Sequence, residues 1–267
     1  MSIWVFTGGL YPAPEQTEHL WTAYGAPQYV IAADSGLHAA EAYQTHAKNR
    51  SPTEDPDARF TPDWICGDFD SVADDGFRSR YSPELIETYR CDKDLTDTEA
   101  ALQKARQMRR GDEPVILAGG DGGRTDHLAG ILNLFGTDIG PDLWLGAIQG
   151  GYCIGGRHPA ALKIAGLTGD DTVSVYHAPR NPWRNQICGT GTADTGGLGS
   201  DGLPKIHGQG LFWDISDLPW QNGAYSLSNK IASPGAEVGL AAKNGVFLVF
   251  LPLRNHIIVT FQRCQAP

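Results

Sequence analysis

At 267 residues and 28.8 kDa the chain is long enough for one large domain or about two of roughly 150 residues. Its 41% apolar and 19% charged residues exclude a wholly disordered polymer. With 21 Lys and Arg against 31 Asp and Glu, the formal charge of -10 repels phosphate backbones and anionic lipid, which excludes nucleic acid and membrane surfaces as main partners. A phosphorylated substrate would therefore need a cation between itself and the carboxylates.

Met1 to Leu10 has no basic segment before its short apolar run, so Ile3 to Phe6 reads as a first strand rather than a signal peptide, and the cytoplasm is the expected compartment. From there to about residue 155 one pattern repeats: a short apolar strand, a turn rich in Gly and Asp, and a segment of helical spacing. Ile3 to Phe6 runs into Thr7-Gly8-Gly9, Tyr29 to Ala33 into Asp34-Ser35-Gly36, and Trp64 to Cys66 into Gly67-Asp68-Phe69-Asp70. Leu85 to Tyr89 leads to Asp92-Lys93-Asp94, and Val115 to Ala118 leads through Gly119-Gly120-Asp121 to Asp126. Such alternation predicts a Rossmann-like α/β domain over 1-155. Its parallel strands would deliver all these polar ends to one edge, where open sheets bind ligands. Thr96-Asp97-Thr98-Glu99 matches a capping box, followed by an apolar face of Ala101, Leu102, Ala105 and Met108.

Beyond residue 155 the texture changes. Strands are predicted at Thr172 to Tyr176, Gly210 to Ile215, Ala224 to Ser228, Val238 to Ala242, Val246 to Leu251 and Ile257 to Phe261, giving a smaller all-β sandwich domain over 156-267. Lys243-Asn244-Gly245 reads as a type I′ hairpin turn. The Pro-rich stretch Thr45 to Pro62 and the Gly-rich stretch Pro179 to Pro204 read as loops. The apolar run Val246 to Leu253 is far short of the ~20 residues that span a bilayer. Cys66, Cys91, Cys153, Cys188 and Cys264 are odd in number and form no CxxC pair, which fits reduced thiols rather than a disulfide framework or a zinc site.

Gly197 to Gly202 matches GxGxxG as a string, but no strand precedes it and no apolar helix follows, so it reads as a loop; no GxxxxGK[ST] occurs. The acids carry more information. Asp34, Asp68, Asp70, Asp94, Asp97 and Asp126 all fall at or just past predicted strand ends. Any one alone is an ordinary cap or turn residue. Together they would repel one another unless neutralised, and a hard divalent ion carrying substrate phosphates accounts for all of them. Arg124, beside a Gly-rich turn, has the planar fork that clamps phosphate oxygens, and Lys93 lies between acids on the same edge. His127 reads as a helix N-terminal residue. Trp213 reads as core or as a platform for a flat cationic ring, and Ser228-Asn229 as a turn or a contact. Asp68-Phe69-Asp70-Ser71-Val72 also fits the DxDx[TV] string of haloacid dehalogenase-like phosphatases, though it follows the third predicted strand rather than the first.

Taken in order, Ala33-Asp34-Ser35-Gly36, Gly67-Asp68-Phe69-Asp70-Ser71, Lys93-Asp94-Leu95-Thr96-Asp97, Gly122 to His127, Gly210 to Ile215 and Ser228-Asn229 resemble the thiamine pyrophosphokinase family over nearly the whole chain. Ser35 stands where glycine is usual, and Lys230 where an acid is common. The resemblance implies transfer of diphosphate from ATP to thiamine, with Mg²⁺ as cofactor. It assigns metal contacts to Asp34, Asp68, Asp70 and Asp97, and a completing or orienting part to Asp94 and Asp126. Phosphate contacts fall to Lys93 and Arg124, with His127 beside them. It also implies a homodimer in which Trp213, Ser228 and Asn229 of one subunit face the ATP crevice of the other. Other readings remain: a pyrophosphokinase for another heterocyclic alcohol such as a pterin, a phosphatase of the DxD type, or a nucleotide or thiamine binder without turnover.

Overall fold

The computed structural model describes residues 1-50, 59-70, 72, 76-90, 94-178, 202-220 and 226-262. Its contacts divide the chain into two compact units, Met1–Ile131 with Leu143–Ala147, and Leu132–Asp142 with Ile148–Pro267.

The chain opens with β1 (Ser2–Phe6), α1 (Glu18–Tyr24), β2 (Pro27–Ala33), α2 (Gly36–Asn49), β3 (Trp64–Gly67) and α3 (Phe77–Arg80). There follow β4 (Ile86–Thr88), α4 (Asp97–Met108), β5 (Val115–Ala118), α5 (Thr125–Leu134) and β6 (Leu143–Leu145). The strands pair in the order β4-β3-β2-β1-β5-β6, each pair parallel. β1 is buried along its whole length, as a parallel strand covered on both faces must be. Alternation along it separates the two coverings. Trp4 and Phe6 meet Tyr43 of α2 at ring distances of 5.8 and 5.0 Å. Thr7, on the opposite face, shares a 2.6 Å hydroxyl bond with Thr98 of α4. The capping box predicted for α4 is present: the Thr96 hydroxyl accepts from Glu99 N at 3.2 Å, and the Glu99 carboxylate accepts from Thr96 N at 2.8 Å. α2 extends through Asn49, so the predicted loop from Thr45 starts later than expected. Residues 51-58 of it lie outside the described residues.

The strand order reverses between β1 and β5, and a crevice at such a reversal is where open α/β sheets take ligands. Here the two strand ends close tightly. Gly120 N donates to Gly8 O at 2.7 Å and Leu10 N to Asp121 O at 2.6 Å. Gly119 has φ +107°, and a Cβ there would sit 2.3 Å from the Thr7 carbonyl oxygen, so only glycine fits.

The second unit contains β7 (Gln149–Ile154), β8 (Ala161–Ala165), β9 (Thr172–Ala178), β10 (Lys205–Gln209), β11 (Ser226–Lys230), β12 (Val238–Lys243), β13 (Val246–Pro252) and β14 (Ile258–Gln262). They form two antiparallel runs, β11-β9-β13-β7 and β10-β12-β8-β14. Tyr152 of β7 meets Phe261 of β14 across them at 6.4 Å. The mixed α/β character follows the expectation, with two corrections to the local reading. The Asn244-Gly245 turn is not a hairpin, because β12 pairs with β10 and β8 while β13 pairs with β7 and β9. Asn244 does take a left-handed φ of +58°, but the turn carries the chain from one sheet to the other. Gly210 to Ile215, read as a strand, is an irregular turn joined to the sheet by one bridge, Leu211 to Ile231; the strand lies just before it, at β10. Among the described residues no helix is long and apolar enough to cross a membrane. Cys66 and Cys153 are buried, and the Cys153 thiol donates to Pro141 O at 3.6 Å.

Candidate active site

Parallel pairing of β2 with β3 sets Ala33 beside Cys66, so the residues that follow each strand emerge side by side. Asp34 N donates to Cys66 O at 2.8 Å, fixing the first carboxylate's backbone to the neighbouring strand. Asp34 has φ +50°, a left-handed conformation that Asp tolerates better than most residues. Asp68 and Asp70 leave β3 around Phe69, whose φ is +62°. For a bulky aromatic that is strained, and packing holds it there. The Phe69 ring is 8% exposed, lies 4.9 Å from Phe77, and carries the Arg78 guanidinium 5.1 Å from its centre. The turn also brings Asp70 N to 3.4 Å from Asp68 Oδ1.

As a result Asp34, Asp68 and Asp70 each offer a carboxylate oxygen within 4.8 Å of the others. Three like charges at such spacing repel, and a cation among them converts repulsion into binding. The donor set is all oxygen, which fits a hard ion such as Mg²⁺ rather than zinc. Asp97 is not one of the three. It opens α4 directly after its Thr96 cap, and Asp94 is exposed just before it. Lys93 lies outside the described residues.

Arg124 and Asp126 are exposed and bound to each other: Nε donates to Oδ1 at 3.2 Å and Nη2 to Oδ2 at 2.6 Å. The arginine bond holds the Asp126 carboxyl below the usual range. His127 is exposed in the first turn of α5. Two further residues lie at strand ends. Asp121 ties the ends of β5 and β6 together, its carboxylate accepting from Gly122 N at 2.8 Å and Ala147 N at 2.9 Å; the acid-after-strand rule reaches it. Tyr89 follows β4, and burial, then the nearby Cys66 and Glu87, and Asp97 last, push its hydroxyl upward. No sequence pattern marks it.

In the second unit, Trp213 and Phe212 are exposed, 49% and 63%, and meet edge to face at 5.0 Å. The Ser228 hydroxyl lies 3.0 Å from that of Ser174. Asn229 is buried, its amide turned onto the Trp213 backbone.

Comparison with known proteins bears on the first unit most directly. Residues 18–138 match the family model described as thiamin pyrophosphokinase, catalytic domain. No curated protein sequence matches the chain. Solved structures share the fold at low identity. A thiamin pyrophosphokinase family protein from Enterococcus faecalis is 16% identical, with a TM-score of 0.61, covering 94% of this chain and 99% of its own. Thiamine pyrophosphokinase from Bacillus subtilis is 17% identical, with a TM-score of 0.58 and the same coverage of 94% and 99%. Thiamin pyrophosphokinase from Candida albicans is 12% identical, with a TM-score of 0.55, covering 94% of this chain and 88% of its own.

Proposed function

We infer that the chain belongs to the thiamin pyrophosphokinase family and is a thiamine diphosphokinase, moving the diphosphate of ATP onto the hydroxyl of thiamine and releasing AMP. The observation that carries this is the meeting of Asp34, Asp68 and Asp70 within the segment that matches the catalytic domain. In the reaction the thiamine oxygen bonds to the β-phosphorus, the bond from that phosphorus to the α,β-bridging oxygen breaks, and AMP departs.

Asp34, Asp68 and Asp70 would hold Mg²⁺, which when bound supplies charge neutralisation and Lewis acidity at the phosphate oxygens. The chain's own groups supply position and field. Arg124 offers a planar fork, and an arriving phosphate would replace Asp126 as its partner, releasing that carboxylate toward the acceptor hydroxyl. We assign Lys93 and His127 to phosphate, Asp97 to the outer part of the metal site, and Asp94 to completing that site or orienting the hydroxyl. The tight glycine turns after β1 and β5 let backbone approach phosphate closely. Trp213 and Ser228 are assigned to thiamine, whose thiazolium is a flat cation suited to an aromatic face. In the homodimer we propose, these residues of one protomer meet the ATP crevice of its partner. The first unit thus serves ATP and catalysis and the second thiamine and dimerisation.

Incubation of the purified chain with ATP, Mg²⁺ and thiamine should give AMP and thiamine diphosphate in equal amounts, and chelation of Mg²⁺ should abolish both. Asp68→Asn should lower kcat by about 10²- to 10³-fold, the scale of losing one charge-stabilising group. A folded wild-type protein that forms no thiamine diphosphate would overturn the assignment.

A further inference from the structure

We propose that Asn229 is a positioning residue that holds Phe212 and Trp213 outward as a two-walled aromatic platform for the cationic heterocycle, a role resting on the function inferred above. The polar functions of its amide turn inward. Oδ1 accepts from Trp213 N at 3.1 Å and from Lys230 N at 2.9 Å, and Nδ2 donates to Trp213 O at 2.8 Å. With Asn229 only 1% exposed and its donor and acceptor both committed to backbone, it acts on a ligand through Trp213 rather than by touching it.

The surrounding bonds fix the same turn. Phe212 N donates to Lys230 O at 2.8 Å, Ala232 N to Gly210 O at 2.8 Å, and Gly210 has φ +75°, with a Cβ there 2.1 Å from Glu237 O. Among the described residues both rings keep a large accessible area. Phe212 and Trp213 stand 63% and 49% exposed with interplanar angle 82°, so one presents a face where the other presents an edge. Two adjacent large aromatics left in water, on a turn whose backbone a buried amide fixes, offer a surface that a flat ligand can use. The two rings make a corner into which a flat cation fits face to ring. Phe212 is then a second wall, beyond the single tryptophan marked in the sequence.

The test is thiamine affinity, measured by equilibrium dialysis, with the KM values for thiamine and ATP read separately. Asn229→Ala should raise the thiamine Kd and KM about tenfold and leave the ATP KM within twofold. Asn229→Ser, whose hydroxyl can keep one of the two bonds to Trp213, should fall between and serves if the alanine variant does not fold. Phe212→Ala, at an exposed position, should raise the thiamine Kd about threefold. Unchanged thiamine affinity in folded Asn229 variants, or an equal loss of affinity for ATP, overturns the positioning role while wild-type turnover stands. A wild-type chain that neither binds thiamine nor converts it overturns the function itself.

Discussion

Phe69 condenses the conflict between local preference and site geometry into one residue. Its φ of +62° is a conformation that costs a side chain bearing Cβ about 1–2 kcal/mol, yet its ring is 8% exposed and packed on Phe77. Burial offsets the strain and leaves Asp68 and Asp70 beside Asp34. Removing the ring forfeits about 3–5 kcal/mol. Because glycine alone also relaxes the backbone, Phe69→Gly should be more stable than Phe69→Ala by about 1 kcal/mol, read as a higher denaturant midpoint, the reverse of the usual order. Equal or opposite stabilities in chemical denaturation would mean that the left-handed turn is not under strain. The acids after the strands were legible because they recur at one strand end after another of a parallel sheet, although any one alone would be a turn residue. Phe69 was not, since a left-handed φ in a bulky residue has no sequence signature. Asn229 was legible as a turn or contact residue and not by the direction of its amide, because its letter fixes two hydrogen-bonding functions but not where they point.

Elements were read best where a periodic pattern coincided with a terminal signal. α4 begins where the box Thr96 to Glu99 placed it, and its Ala101, Leu102 and Ala105 are buried. Thr96→Ala removes the acceptor for Glu99 N and one donor to the Glu99 carboxylate, which is itself buried. The cost should be about 1 kcal/mol, visible as a fall of about 2–4 °C in Tm. The fall in kcat should be larger if the first turn of α4, with Asp97, serves the metal site. The failures are equally instructive. Asn244 adopts the backbone that a type I′ turn requires, yet β12 and β13 belong to different antiparallel runs. Turn chemistry specifies a reversal of the chain; which strands then pair depends on faces buried elsewhere. Gly210 to Ile215 had strand-like letters, but the Asn229 amide takes the Trp213 backbone groups that a ladder would have used.

At the scale of the whole molecule, the charge of -10 makes pH a lever on stability. The Asp171 carboxyl gives the sign. Burial alone would raise the Asp171 carboxyl, but hydrogen bonds from Thr168 N and Thr168 Oγ1, both 2.8 Å, with Arg254 at 3.3 Å, outweigh it and hold the group below its ordinary range. A carboxyl depressed in the folded state stabilises above its unfolded pKa of about 4 and loses that contribution as pH falls through the folded value. Wild-type Tm should therefore drop more between pH 7 and pH 3 than that of Asp171→Asn; parallel profiles would show that Asp171 carries no pH-linked stability. The sequence by itself determined the α/β alternation, the acids at the strand ends and the cap of α4, because periodicity and capping are local or ordered along the chain. Tertiary structure alone decided that three of those acids converge, that Arg124 is held by Asp126, that Asn229 faces inward and that Asn244 changes sheets. Each of these depends on which distant segment lies alongside, and that is set by burial summed over the whole core rather than by any short run of residues.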